Sequence, residues 1–266
     1  MKIWYQSLTR PDAWPAYNAA LRSVLDRIKS HDVQIEVHGI EARGGIGDQY
    51  NYLEFIETQE VLSNVERATR EGFDAFLIGN IGDPGLRQAR EIARMPVLGL
   101  CETSAHLACM MGANFALVTG NTKHATRISE NITRYGLAGR LAGSRPMKVE
   151  RLVDLDQGFS DPAAGRVLID QFLAAGREHA EAGAEVIIPA VGVLMTLLAH
   201  HDIHEVAPGV PILNGVFALV RMGEAAVRIR QAMGGVWTSR RAMYAMPPAS
   251  QLEELRAYYG PVYPAA

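Results

Sequence analysis

The stretch Gly79-Asn80-Ile81-Gly82-Asp83-Pro84-Gly85 places a primary amide and a carboxylate in a glycine-rich turn. It follows the apolar run "FDAFLI" and precedes "LRQAREIARM", which has helical periodicity. A strand that passes through such a turn into a helix is where open α/β proteins build their sites. Asn80 serves there as a hydrogen-bonding site group or as a residue that tolerates the turn. Asp83-Pro84 reads as an N-cap followed by a proline at the first helical position. The glycines let backbone N–H groups approach a ligand, and with the helix dipole they favour a carboxylate or a polarised carbonyl. The pattern is not GxGxxG and no Walker lysine follows, so nucleotide binding is unsupported.

Three other segments carry candidate chemistry. "LVTGNTKHATR" repeats the strand–turn–helix theme, and Thr119 and Gly120 there suit a second anionic group or simply open a helix. "GLCETSAH" sets Cys101, Glu102 and His106 around another strand-to-helix junction. Glu102 and His106 share a helical face, a pair suited to acid–base work or to an ordinary solvated contact. Cys101 reads either as a reactive thiol or as a small buried apolar residue. In "HHDIH", His200 and His204 are spaced for a metal, but the segment breaks into "APGVP" with no third ligand. A surface turn is the better reading, and HExxH, GxSxG and CxxC are absent.

The elements that must position these groups alternate. Strands are expected near 2–7, 33–40, 74–79, 96–100, 115–120, within 144–157, at 185–190 and at 211–214. Helices are expected near 12–30, 55–71, 84–94, 102–111, 122–135, 161–182, 194–201 and 215–233, with a long loop over 41–52. Such alternation predicts an α/β protein with parallel sheets flanked by helices. The tail 239–266 mixes Met, Pro and Tyr after the last of these helices and is expected to pack over the body or a neighbouring subunit.

The chain also resembles itself. "EGFDAFLIGNIGDPGL" followed by "MPVLGLCETSAHL" matches "EAGAEVIIPAVGVLMTL" followed by "VPILNGVFALVRM". Aligning Gly72 with Gly183 sets Asn80 on Val191. Two similar lobes are implied, with strand ends facing across a cleft: lobe one over 1–117 and 215–235, lobe two over 118–214, and an extension from 236 to 266.

Composition narrows the partners. A net charge of −3 and a pI of about 6.2 give no basic face for nucleic acid or a membrane surface. Two cysteines, without CxxC spacing, cannot form a disulfide framework, so a reducing cytoplasm is expected. No apolar leader or 18-residue apolar run is present, so neither a signal peptide nor a membrane span is expected.

With two lobes, "GDPGL", "PVLGLCETSAHLA", "FALVT" and "GAEVII", residues 1–235 resemble the aspartate/glutamate/hydantoin racemase superfamily, and above all its hydantoin and allantoin racemase branch. The resemblance implies two pseudo-symmetric α/β lobes with the site between them, no cofactor, a small-molecule substrate and a homo-oligomer. In that family two cysteines face one another across a carbon acid, one thiolate removing the proton and the other thiol returning it. Their positions correspond to Asn80 and Val191. An amide is no base near neutral pH and an isopropyl group transfers no proton, so two-thiol racemisation is excluded at these positions. Malonate-decarboxylating relatives keep the second cysteine; this chain has neither.

The family's Asn-Pro-Asn strand end falls at Tyr5-Gln6-Ser7, which implies an altered substrate. Gln6, Ser7, Gly82, Asp83, Thr119, Gly120, Val191, Gly192 and Asn214 are the expected substrate-binding positions. Asn80 would polarise a carbonyl, while Tyr5, Cys101, Glu102 or His106 supplies a proton. The reading is an isomerase, lyase or ring-opening hydrolase acting on a small carboxylate, cyclic amide or ureide. The alternatives are a non-catalytic binder of small acids and a racemase with other bases.

Overall fold

The computed structural model describes residues 1–46 and 50–263. Residues 47–49 of the expected loop and 264–266 of the tail lie outside them.

The first sheet is parallel, in the order β2-β1-β3-β4: β1 is Lys2–Gln6, β2 Gln34–His38, β3 Ala75–Ile78 and β4 Val97–Gly99. Its connections are the helices α1 (Pro15–Ile28), α2 (Asn51–Arg70) and α3 (Leu86–Ile92). β4 runs straight into α4 (Leu100–Met111). The second parallel sheet has the order β6-β5-β7, from β5 (Phe115–Thr119), β6 (Leu141–Pro146) and β7 (Val186–Pro189). α5 (Thr122–Arg134), a short α6 (Gln157–Ser160) and α7 (Pro162–Glu181) connect them, and α8 (Gly192–His200) follows β7. β8 (Glu205–Ala207) and β9 (Val210–Pro211) form a small antiparallel hairpin. α9 is Gly215–Ala232 and α10 is Ala249–Tyr259.

Central strands are buried along their length, as parallel strands covered on both faces require. Every residue of "AFLI" in β3 and of "FALVT" in β5 is buried. The internal likeness extends to backbone detail. α2 ends on Gly72 at φ +73° and α7 on Gly183 at φ +95°. After each, the next residue donates to a carbonyl in the last helical turn, Phe73 to Ala68 and Ala184 to His179. This is the Schellman closure that only glycine adopts without strain. Each glycine reverses the chain into a buried strand.

Three expected elements differ. "PILN" adds no strand to the parallel sheet: Pro211 ends β9 of the hairpin, Ile212 makes a single parallel bridge to Ile187, and Leu213 donates to the Ile187 carbonyl. Lobe two therefore holds only a vestige of the fourth strand that lobe one completes, because the chain is diverted into the β8–β9 hairpin. The strand sought within 144–157 begins earlier, at Leu141. The tail carries a helix of its own, α10, whose mixed sequence lacks the apolar periodicity that reveals helices.

Long-range contacts join the lobes. α1 packs against α8, and α4 against both α5 and β7. The N-terminus of α1 receives Asp156 from lobe two, whose Oδ1 accepts the Tyr17 backbone N–H at 2.7 Å. Among the described residues, no helix is long and apolar enough to cross a membrane.

Candidate active site

The strand ends of both sheets meet at a cavity of about 50 Å³. Ser7 arrives from the end of β1, Gly79, Asn80 and Ile81 from β3, His124 from α5, and Val191, Gly192 and Val193 from the β7–α8 junction. Leu8, Thr9, Trp14, Tyr17 and Leu152 complete the wall. The approach is close: a Cβ added to Gly192 would lie 3.2 Å from the Gly79 carbonyl oxygen. Carboxyl ends of parallel strands are the expected place for a site in such folds.

Asn80 has a defined orientation. Its Oδ1 accepts the Gly82 backbone N–H at 2.7 Å, which engages the oxygen in the turn and leaves the two NH₂ donors uncommitted. That bond fits the turn-forming reading of this residue. Ser7 and Thr9 share a hydroxyl contact of 2.8 Å, and Thr9 also donates to Asn18. Tyr17 is buried, which pushes its phenol up to about 12, while the Ser7 and Thr196 hydroxyls oppose that shift. Trp14 directs its indole N–H to the Gly45 carbonyl at 2.9 Å. α8 begins at Gly192 with no side chain capping its first N–H groups, which leaves donors at the cavity wall.

His124 was not singled out by sequence reasoning. Burial, then the neighbouring Arg127 guanidinium, lowers its pKa to about 4, so the ring is neutral at physiological pH. Its Nδ1 is sealed and has no hydrogen-bond partner. With His124 and Tyr17 neutral, no lining side chain carries a charge, and none is a thiol.

The turn 82–85 performs a different task from the one its sequence suggests. α3 begins at Leu86 behind Gly85, at φ +69°, and has no side-chain cap. Asp83, expected to cap that helix, instead caps α4: Oδ1 accepts the Cys101 N–H at 2.9 Å and Oδ2 the Glu102 N–H at 2.8 Å. The positive φ of Asp83, +48°, accompanies this redirection. Lobe two then grips the same turn with one face of α5. Arg127 lies against Gly82 and pairs with Glu54, Asn131 donates to the Gly82 carbonyl at 2.9 Å, and Tyr135, one residue past α5, donates to Asp83 at 2.6 Å. Positions 127, 131 and 135 are four apart, so one helical face presents all three; that spacing was the available signal.

These groups also line a larger depression of about 700 Å³, together with Glu102, His106 and Arg90. Its volume is ample, but several of its charges are already paired within the protein. Arg90 holds Glu102 in a two-pronged ion pair, and Arg127 holds Glu54. The His106 ring is exposed and meets the Glu102 backbone carbonyl at 2.8 Å, not its carboxylate.

The remaining predicted positions are spent elsewhere. Gln6 donates to the Ser7, His38 and Gly39 carbonyls and accepts from Trp4 and Asn64. Thr119 donates to the Asn121 carbonyl, and Gly120 accepts from Val149. Asn214 caps α9 and donates to Met195. Tyr5 lies beneath the strand exit, where a Cβ on Gly79 would overlap its ring, and its sealed hydroxyl has no partner. Cys101 is buried; burial first, then Asp83 and Glu102, pushes its thiol well above the ordinary range and keeps it protonated. Among the described residues no cluster of His, Cys, Asp and Glu is arranged to hold a metal, and His200 and His204 are exposed.

The chain and its fold resemble known proteins. A model of the Asp/Glu/hydantoin racemase family matches residues 17–223. A hydantoin racemase of Pseudomonas sp. (strain NS671) is 32% identical over 198 residues, covering 74% of this chain and 73% of its own. One from Rhizobium meliloti is 30% identical over 190 residues, covering 70% and 72%. Among solved structures, allantoin racemase from Klebsiella pneumoniae superposes with a TM-score of 0.76 at 23% identity, over 93% of this chain and 94% of that one. At that identity the likeness speaks for the fold of two parallel sheets flanked by helices. The family match over most of the chain, and the curated relatives, place this protein in the Asp/Glu/hydantoin racemase family, in its hydantoin racemase branch.

Proposed function

We propose that this chain is an isomerase of that family acting on a small uncharged carbonyl compound, a cyclic amide or ureide, by chemistry other than thiol-to-thiol proton transfer. The observation that carries the reading is the uncharged, thiol-free cavity at the strand ends, with the Asn80 NH₂ group free. A carboxylate entering it would lose hydration without meeting a paired cation, a desolvation cost that a neutral carbonyl largely escapes. Asn80 donates to the carbonyl oxygen, and that bond strengthens as negative charge builds there. The N-terminus of α8 adds a favourable dipole at the same wall.

The test pairs binding with exchange. Hydantoin and allantoin are expected to raise the melting temperature, aspartate is not, and α-proton exchange of the ureides in D₂O should fall about 100-fold or more in Asn80→Ala. Stabilisation by aspartate alone, or unaltered exchange in that variant, would sink the reading. A second reading, a binder without turnover, is favoured by the lack of a charged or thiol side chain in the cavity. Stabilisation by a ureide with no exchange in the wild type would establish it.

A further inference from the structure

We propose that His124 is the catalytic residue that carries the proton in the cavity between the lobes, working from one side of the substrate. The inference rests on the function proposed above and adds to it the group that does the work.

His124 is 6% exposed, lines the same cavity as Asn80, and makes no side-chain hydrogen bond; its Nδ1 is sealed and unpartnered. Buried polar atoms are nearly always paired. With no protein partner fixing it, the ring is uncommitted, and it stands on the wall of the cavity where a ligand would meet it. The backbone holds the residue firmly: its N–H donates to the Asn121 side chain at 3.0 Å in the first turn of α5. The charged or titratable groups that face it are Arg127 on its own helix and Tyr17 from α1 across the cavity.

A neutral imidazole has one lone pair and one N–H. The lone pair takes the proton from the carbon beside the substrate carbonyl. The C–H electron pair forms the C=C bond of the enolate, and the carbonyl oxygen takes the negative charge under the Asn80 NH₂ group. The imidazolium then returns the proton, to the same carbon or to another atom of the conjugated enolate, so nothing is oxidised or reduced. By itself the ring is a weak base because burial and Arg127 oppose its charge. An enolate forming beside it supplies the missing counter-charge and strengthens the base at the moment it is used. A single base on one face delivers tautomerisation or exchange, whereas inversion also needs the planar enolate to turn over.

The experiment uses the full chain and hydantoin as the probe. Imidazole nitrogen–proton correlation spectra, with His124 assigned from His124→Gln, should show a neutral ring at pH 7 whose nitrogens shift as hydantoin is added. Exchange of the hydantoin C5 proton in D₂O should fall about 100-fold or more in both His124→Gln and His124→Asn, while hydantoin affinity changes by only a few fold. His124→Asn keeps a polar group at the Nδ1 position, which guards against a loss caused by misfolding. Wild-type exchange that survives in either folded variant, or nitrogens that ignore hydantoin while exchange proceeds, would overturn the role of His124 and leave the proposed function standing. Neither binding nor exchange in the wild type would overturn both.

Discussion

Tyr135 of lobe two donates its hydroxyl to Oδ2 of Asp83 in lobe one at 2.6 Å, and the same carboxylate caps α4. One side chain thus anchors a helix and ties the two lobes beside the site. Tyr135→Phe removes the donor. Stability should fall by about 1–3 kcal/mol, as for a hydrogen bond to a charged acceptor, and by more at pH 8 than at pH 5, because the bond is worth most to the ionised carboxylate. Urea denaturation at the two pH values measures this.

Asp83 and His124 should tilt the pH dependence of stability in opposite directions. Burial pushes the Asp83 carboxyl from 3.8 up to about 7, against the bonds from Tyr135, Cys101 and Glu102. Its contribution is therefore full below 3.8 and is lost as pH rises through about 7. The His124 pKa is lowered from 6.5 to about 4, so its contribution is full above 6.5 and is lost as pH falls through about 4. Each pH unit inside a window is worth about 1.4 kcal/mol. The two slopes offset one another in the wild type. Relative to it, Asp83→Asn should gain stability from pH 4.5 to 7 and His124→Gln should lose it, which urea unfolding across that range will show.

The Tyr5 hydroxyl is sealed beneath Gly79 without a partner, and burial, then Tyr17, holds its phenol well above the ordinary range. Deleting an unsatisfied buried hydroxyl removes a desolvation cost. Tyr5→Phe should therefore raise stability by about 1–3 kcal/mol, seen as a higher melting temperature.

Arg240 holds the start of the C-terminal extension on the body. Its guanidinium donates to the Arg90, Glu91 and Ala93 carbonyls at the end of α3, and Tyr263 donates to the Glu91 carboxylate at 2.8 Å. Arg240→Ala should speed proteolysis within 236–263 severalfold while leaving the melting temperature of the body nearly unchanged. Arg240→Lys should behave in the same way, because an ammonium cannot span three carbonyls as the guanidinium does.

Much of the fold was legible because burial leaves a local mark. "AFLI" and "FALVT" are apolar without alternation, as strands covered on both faces must be, and Gly72 and Gly183 stand where helices close. α10 and the reduced fourth strand of lobe two were not legible, since the first is held by contacts from a few side chains and the second is lost to a hairpin two residues wide.

The residue pattern by itself determined the two-lobed α/β plan, the family likeness and the lack of a thiol at positions 80 and 191. Only the tertiary structure decided which groups are free to act. It turned Asp83 from its own helix to α4, spent Gln6 and Asn214 on backbone partners, sealed Cys101 as a protonated thiol, and brought His124 unpaired to the cavity with Asn80. The reason is physical. Periodicity reports which face of an element is buried, whereas the partner of a polar side chain, and the protonation state that burial imposes on it, exist only once the lobes have closed.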